Sequence, residues 1–353
     1  MQRLCYGAVR LSMSGPRKLT PREAWHRYLN SRRTELTEET ASTYHYRLKL
    51  FTEWCEDNGI ETVAELDGWL LDQYESFRAG QNIASTTIHN EMETLKSFVE
   101  YLERIEAVDD DLGERVNVPD IPRGERSRET KLSADRAIPL IQNYRNDDTL
   151  SGTRSHALLE TAWHTGARLG GLRSLDLRDF DREERTLEFV HRPETDTPLK
   201  NKNNGERIVG ISEQVSKTIV EYIQSDRWDK HDENGRQPLF TSMQGRPSSN
   251  TVRIWMYMAT FPCLHEECPH GYEKAACEFR CHSKSSQCPS SRAPHHVRTG
   301  SITWHRDRGV PKEVTENRVN ASQDVIDEYY DKASRQERME QRRRPHLHKL
   351  DIE

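Results

Sequence analysis

No stretch of about 18 consecutive apolar residues occurs in this chain of 353 residues, so the sequence predicts no membrane-spanning helix. The first residues also lack the continuous apolar segment of a signal peptide, and we therefore expect a cytoplasmic protein. The formal net charge of −6 excludes a uniformly basic nucleic-acid binder. Lysine is scarce, with 13 residues against 39 arginines. The planar guanidinium suits bidentate contacts with phosphate, although a biased genome or a salt-loving host explains the preference equally well.

Cysteine is infrequent outside one segment, in which five of the seven cysteines fall between residues 263 and 288. In an intracellular protein such a cluster favours a metal site over a disulfide framework. The segment holds more than the four Cys or His ligands that tetrahedral zinc requires, but it contains no Cys-x2-Cys pair. We predict structural zinc, with a reduced surface loop or redox control as alternatives. The candidate ligands are Cys263, Cys268, His270, Cys277, Cys281 and Cys288.

Apolar periodicity predicts an all-helical first domain at residues 18–107, preceded by a flexible tail at residues 1–17. Thr20 and Glu23 form a capping box at the start of the first helix. Further helices are predicted over Thr37–Asn58, over Val63–Arg78 and from Ser85 onward. Four amphipathic helices are enough for a core of their own. A basic face is predicted from His45, Arg47, Lys49, Lys96 and Arg104.

Residues 108–130 are predicted to be a linker, because prolines and charges occur there without apolar periodicity. The second domain, residues 131–335, combines helices with a β-hairpin whose strands are Leu187–His191 and Arg207–Ile211. The cysteine-rich segment, residues 263–288, is named the Cys/His insert and interrupts this domain. Residues 336–353 form a C-terminal tail. The sequence therefore predicts a mainly α fold with a small β-hairpin or sheet.

Five residues of the second domain have side chains that suit one reaction. Arginines neutralise the oxygens of a phosphate, histidine and lysine transfer protons, and a tyrosine hydroxyl is a nucleophile. Such a set permits phosphoryl transfer to a protein hydroxyl without a catalytic metal. The members that we select by order and spacing are Arg168, Lys202, His295, Arg298 and Tyr330.

The segments around these residues resemble the motifs of the tyrosine recombinases, the phage-integrase and Xer-type family. Thr165–Leu175 resembles the first arginine box, Lys202–Val209 the hairpin lysine, and His295–Arg298 the His-x-x-Arg box. The sequence of Pro294–Gly300 and the Cys/His insert resemble those of haloarchaeal integrases in particular. The resemblance implies a helical SAM-like core-binding domain, followed by a mixed α/β catalytic domain.

Two of these assignments have close competitors, and one position departs from the family. Lys200 lies near Lys202, and His296 follows His295, although Lys202 and His295 have the spacing of the family. Gly171 stands three places after the first arginine, where the family commonly has an acidic residue. Support for the orientation of that arginine is therefore missing or comes from elsewhere in the chain.

The last part of the motif is the least regular. An alignment without a gap places Ala321 where the family has a histidine or tryptophan, and it makes Tyr330 the nucleophile. A slip by one residue would place Asn320 and Tyr329 in these roles instead. Loss of the histidine predicts slower chemistry or a site that Asn320 completes.

The resemblance implies a site-specific recombinase that cleaves and rejoins double-stranded DNA. Tyr330 would attack a phosphate held by Arg168 and Arg298 and form a 3′-phosphotyrosine, while Lys202 and His295 transfer protons. It implies a homo-tetramer on DNA, no cofactor for catalysis, no membrane and no small-molecule substrate. One alternative is a catalytically weak DNA-binding relative that acts as a regulator or architectural factor. Another is a zinc-dependent interaction module that has only inherited the fold.

Overall fold

The computed structural model describes residues 15–33, 35–36, 38–122, 125 and 130–351. Most of the predicted N-terminal tail and parts of the predicted linker lie outside these residues. The chain divides into two compact units, residues 1–128 and 129–353. The prediction of a mainly α fold with a small sheet is confirmed. Within the described ranges, every helix is too short or too polar to cross a lipid bilayer.

In its described residues, the first unit contains four α-helices: α1 Pro21–Ser31, α2 Glu38–Asp57, α3 Gly68–Ala79 and α4 Ser85–Arg104. The capping box of Thr20 and Glu23 is present at the start of α1. The single helix predicted over Val63–Arg78 is wrong in its first part. A short 3₁₀ turn, Val63–Glu65, comes first, and α3 begins only after Asp67, whose carboxylate accepts the Leu70 amide.

Aromatic side chains join these helices into one core. The Phe51 ring of α2 meets Tyr74 of α3 and Phe98 of α4 edge-on, with ring centres 5.0 and 6.4 Å apart. The predicted basic face is partly engaged within the unit, because Arg47 donates to the Asn90 carbonyl and the Thr94 hydroxyl of α4, both at 3.0 Å.

The second unit holds the remaining helices. The longer ones are α5 Ala134–Asn146, α6 Arg154–Thr165, α7 Leu169–Ser174, α8 Glu213–Ser225, α9 Ser249–Ala259, α10 Pro294–Asp307 and α11 Lys312–Val319. The buried helix α6 packs against α8, α9 and α10 and so forms the centre of the unit. The chain ends in shorter elements: α12 Gln323–Val325, a π-helical turn Ile326–Tyr330, α13 Arg335–Glu337, a π-helical segment Arg338–Arg343 and a 3₁₀ segment Arg344–Leu350.

A three-stranded antiparallel sheet packs on this helical core in the order β1-β2-β3, with β1 Phe180–Asp181, β2 Thr186–Phe189 and β3 Arg207–Gly210. The predicted pairing of β2 with β3 is confirmed, with Leu187 opposite Val209. Strand β1 was not predicted. The connection from β2 to β3 is long and ends in a 3₁₀ turn, Lys202–Gly205. It brings the candidate lysines toward α11.

Candidate active site

Helix α10 positions the first pair of candidate residues, His295 and Arg298. Pro294 occupies its first turn, where a missing amide hydrogen costs nothing. Gly300 lies so close to a neighbouring segment that a Cβ there would be 1.7 Å from the Leu132 carbonyl oxygen. Only glycine permits this approach, which presses the helix into the core and buries Arg298.

The Arg298 guanidinium has unused hydrogen-bonding capacity, although only 1% of the residue is exposed. Its Nη1 donates to the carbonyls of Gly166 and Val319. Among the residues that the structure describes, its Nε and Nη2 meet no acceptor in good hydrogen-bond geometry, and the Tyr330 hydroxyl is close enough to interact with the guanidinium. Burial lowers the pKa of Arg298 to about 10, so the side chain remains cationic at neutral pH. A buried cation with two unpaired N–H groups favours an anion with oxygen acceptors.

Tyr330 lies directly against this cation. The Arg298 guanidinium carbon is 4.6 Å from the centre of the Tyr330 ring, and the His295 ring centre is 5.4 Å away. The Thr303 hydroxyl donates to the Tyr330 carbonyl at 2.9 Å and fixes the backbone of the π-helical turn. Tyr329 packs at the edge of the small apolar cluster to which Tyr330 belongs. The structure therefore brings Tyr330, and not Tyr329, to His295 and Arg298.

The local charges act on both groups that would exchange a proton. Burial raises the pKa of the Tyr330 hydroxyl, but Arg298, Arg168 and Lys200 together bring it below its ordinary value. Partial desolvation lowers the pKa of the His295 imidazole, and the same cations lower it further. At neutral pH His295 is therefore the neutral imidazole, which accepts a proton, beside a tyrosine that releases one more readily than usual.

Arg168 reaches the same region from the other side. It directly precedes α7, after a left-handed turn at Gly166 (φ 61°), where a Cβ would also meet Val319 at 2.9 Å. Its Nη1 donates to the Asn320 carbonyl at 2.7 Å, and the Asn320 side-chain oxygen is 3.5 Å away. Asn320 thus supplies an orientation that the sequence could not assign.

Gly171 leaves little space for the acidic residue common in the family, because the neighbouring ring would have to shift by a few tenths of an ångström. A Cβ at this position would lie 3.2 and 3.3 Å from two carbons of the Phe189 ring. On that same ring, the Arg207 guanidinium carbon stacks 4.2 Å from the centre. An aromatic ring and a stacked arginine therefore pack beside α7 at this point.

Arg207 is a residue that the sequence marked only as the start of a strand. Its Nε donates to the Arg318 carbonyl at 2.8 Å and its Nη1 to the Gly205 carbonyl at 2.9 Å. Burial, followed by the charges of Arg298 and Arg168, lowers the pKa of Arg207 to about 10. Its position among the other arginines was not predictable, because it depends on how the sheet packs against α11.

The structure separates the roles of Asn320 and Ala321. Asn320 ends α11 in a left-handed conformation (φ 52°), which suits Asn and Gly. Ala321 is buried in the apolar cluster with Ile302 and Tyr330 and offers no side-chain donor. Ala321 therefore does not take over the hydrogen bonding of the histidine that the family has at this position.

The two candidate lysines differ in their surroundings. Lys202 is exposed, has a left-handed backbone (φ 51°) and lies at the start of the 3₁₀ turn. Lys200 is exposed as well, but its charge lowers the pKa of both His295 and Tyr330. The structure therefore places Lys200 electrostatically closer to the other candidates than Lys202, which was the residue selected by spacing.

The Cys/His insert brings some of its candidate ligands into one small apolar cluster, in which Cys268 packs against Cys263 and Cys288. Burial raises the pKa of the Cys263 thiol. His270 hydrogen-bonds through Nε2 to the Ser290 hydroxyl at 3.0 Å. Across the described ranges, no three Cys, His, Asp or Glu side chains are grouped so as to hold a metal ion. Zinc binding stays a prediction.

The C-terminal tail is tied to the residue that follows the candidate nucleophile. Arg342 donates to both carboxylate oxygens of Asp331 at 2.7 Å, and it donates to Asp307 of α10 at 2.8 Å. Asp331 is buried, so this ion pair fixes the end of the π-helical turn.

Comparisons with known proteins agree with this architecture. Residues 23–106 match the family model of the phage integrase N-terminal SAM-like domain. The tyrosine recombinase XerD of Staphylococcus epidermidis is 25% identical over 233 residues, which cover 65% of this chain and 73% of that protein. The tyrosine recombinase XerC of Pseudomonas fluorescens is 28% identical over 159 residues, which cover 45% of this chain and 52% of that protein.

A solved structure is similar over nearly the whole chain. The Tn1549 transposon integrase, in complex with a circular intermediate DNA, matches 94% of this chain and 100% of its own with a TM-score of 0.64. The identity of 14% makes this a likeness of fold. Together with the matched SAM-like domain and the Xer relatives, it confirms the predicted resemblance to the tyrosine recombinase, or phage-integrase, family.

Proposed function

We propose that this protein is a site-specific recombinase that cleaves and rejoins double-stranded DNA through a 3′-phosphotyrosine. The observation that carries the proposal is the buried Arg298, whose two unpaired N–H groups lie beside the Tyr330 ring. A phosphate diester would satisfy those donors and place its phosphorus next to a tyrosine hydroxyl. The DNA that accompanies the Tn1549 integrase in its structure supports duplex DNA as the partner.

The reaction follows from the surroundings of each group. His295 accepts the phenolic proton, and the Tyr330 oxygen forms a bond to phosphorus while the bond from phosphorus to the 5′ oxygen breaks. Arg168 and Arg298 neutralise the charge that develops on the non-bridging oxygens. A lysine of the β2–β3 connection protonates the departing 5′ oxygen. A 5′-hydroxyl from a second duplex then reverses the step, within a tetramer that holds two duplexes.

The test is a covalent-adduct assay. The probe is a nicked duplex that carries the sequence the protein selects from a randomised duplex pool. After cleavage, the short fragment with the 5′-hydroxyl diffuses away, so the adduct accumulates. The proposal expects a denaturant-stable protein–DNA band for the wild type and for Tyr329→Phe, and none for Tyr330→Phe.

The same assay assigns the lysine. Lys200→Ala and Lys202→Ala are compared on the ordinary probe and on a probe with sulfur in place of the bridging 5′ oxygen. A thiol has a pKa of about 8.5 and an alcohol a far higher one, about 16, so a thiolate leaves without a proton. Only the variant that lacks the proton donor loses cleavage on the oxygen probe and recovers it on the sulfur probe.

One observation favours a second candidate function, a DNA-binding regulator or architectural factor with weak catalysis. Ala321 is buried among apolar side chains where the family has a hydrogen-bond donor to the phosphate. This alternative expects tight binding of the selected duplex and no covalent band from any variant. Tight binding without adduct would therefore replace the proposed recombinase with this function.

A further inference from the structure

The end of helix α11 presents three consecutive backbone carbonyls to three arginines. The carbonyl of residue 318 accepts Arg207 Nε at 2.8 Å, that of residue 319 accepts Arg298 Nη1 at 2.8 Å, and that of residue 320 accepts Arg168 Nη1 at 2.7 Å. Such a run of outward carbonyls is available because the helix stops here, and its last carbonyls have no intrahelical partner. The left-handed backbone of Asn320 produces the stop.

The Asn320 side chain makes a second set of contacts with the β2–β3 connection, and its Oδ1 also lies 3.5 Å from Arg168 Nη1. Its Nδ2 donates to the Asn204 carbonyl at 2.7 Å, and its Oδ1 accepts from Asn201 Nδ2 at 2.7 Å. The residues that it contacts flank Lys202, and Asn201 also follows Lys200 directly. Asn320 is therefore bonded to Arg168 through its backbone carbonyl and to the turn that carries the lysines through its side-chain amide.

This turn needs an external support. Residues 201–204 are all exposed, and the turn lies near the end of a long connection between β2 and β3. Long lysine side chains on an exposed turn sample many rotamers, so a fixed backbone is required to keep an ammonium group at a leaving oxygen. Glycine could end the helix in the same way, but only a side chain with both a donor and an acceptor can hold the turn.

We propose that Asn320 is a positioning residue that holds the lysine-bearing turn, residues 200–204, in register with Arg168. It acts through the lysine that protonates the leaving 5′ oxygen and does not itself contact the phosphate. The inference rests on the proposed recombinase function and assigns to Asn320 a part that composition and spacing left open. It applies whether Lys200 or Lys202 is the proton donor, because both lie on the same turn.

The test uses Asn320→Gly, which keeps the left-handed backbone and the 2.7 Å carbonyl bond to Arg168 but removes both side-chain bonds to the turn, together with the longer 3.5 Å side-chain contact to Arg168. Asn201→Ala removes one of those bonds from the other side, and Asn320→Asp keeps the acceptor for Asn201 but loses the donor to Asn204. Single-turnover adduct formation is measured with full-length protein on the oxygen and sulfur probes. Thermal unfolding and duplex affinity are measured alongside.

For Asn320→Gly we expect cleavage of the oxygen probe to fall about 10- to 100-fold, because a misplaced catalytic group costs up to about 100-fold. On the sulfur probe the rate returns to within about threefold of wild type, because the leaving group no longer needs the lysine. Asn201→Ala and Asn320→Asp show the same pattern with a smaller loss. Duplex affinity and the unfolding temperature stay close to wild type.

Three results would overturn the inference. An Asn320→Gly rate equal to wild type on the oxygen probe would show that the turn needs no support from this side chain. An equal loss on both probes would place the effect at Arg168 and not at the lysine. Absence of adduct from the wild type on either probe would remove the proposed function itself, and the inference with it; the first two results leave the proposed function intact.

Discussion

Replacing Arg298 by lysine keeps a buried cation beside Tyr330 but removes the planar fork. In the structure, Nη1 is committed to two backbone carbonyls, and Nε and Nη2 are the atoms that remain for a phosphate. A lysine ammonium that holds one carbonyl supplies at most one donor to the substrate. Loss of one preorganised donor to a developing oxyanion costs about 3–4 kcal/mol, so we expect adduct formation to slow about 100- to 1,000-fold.

Part of any effect would come from stability, and the chain offers a control for it. Arg227 is equally committed to backbone, since its Nε and Nη2 both donate to the Pro238 carbonyl and its side chain is only 4% exposed. Each Arg→Lys change should lower the free energy of unfolding by about 1 kcal/mol through the lost bonds. Only Arg298→Lys should slow the chemistry.

The assay is single-turnover adduct formation at saturating nicked duplex, with urea unfolding of both variants. An Arg298→Lys rate within about threefold of wild type would refute the assignment of Nε and Nη2 to the phosphate. Equal slowing by Arg227→Lys would show that the rate follows stability alone.

Three further predictions concern separate features. The rate constant for adduct formation at subsaturating DNA should fall with acid only below pH 6.5, because His295 must be neutral and its pKa is lowered; a midpoint above 6.5, or an unchanged profile in His295→Gln, would contradict this. Gly171→Asp should lower the free energy of unfolding by about 1–3 kcal/mol, because it overpacks against Phe189, and it should not speed cleavage. The control is Gly170→Asp, since a Cβ at Gly170 would meet one atom, at 4.0 Å. In urea unfolding this control should have a stability close to that of the wild type. Elemental analysis of protein purified with zinc present should find about one zinc per chain, lost in Cys263→Ser; a zinc-free wild type would exclude the predicted site.

Local sequence signals were sufficient for the helices and the paired strands. Capping residues such as Thr20 act within one turn of chain, and the structure has this cap where the sequence predicts it. The 3₁₀ turn before α3 was missed for a physical reason. Asp67 competes for the first amides of the helix, and its preference for a capping position outweighs the apolar pattern around it.

The sequence predicted which residues belong to the candidate site, but it did not predict the hydrogen bonds that connect them. Spacing selected His295, Arg298 and Tyr330, and these three lie together because α10 and the π-helical turn pack directly on each other. The lysine was less certain, because its position depends on how a long exposed connection settles on α11. The bonds of Asn320 to Arg168 and to the turn join residues more than a hundred positions apart, and no local signal encodes such pairs.

The central claim is that Tyr330 becomes bonded to the 3′ phosphate of a cleaved strand. The most direct measurement is mass spectrometry of the trapped adduct, after nuclease removes the DNA and protease cuts the protein, with fragmentation to locate the residual nucleotide. The account predicts one modified peptide that carries a 3′-linked nucleotide on Tyr330. A nucleotide on Tyr329 or on any other side chain, or a linkage through the 5′ phosphate, would contradict it.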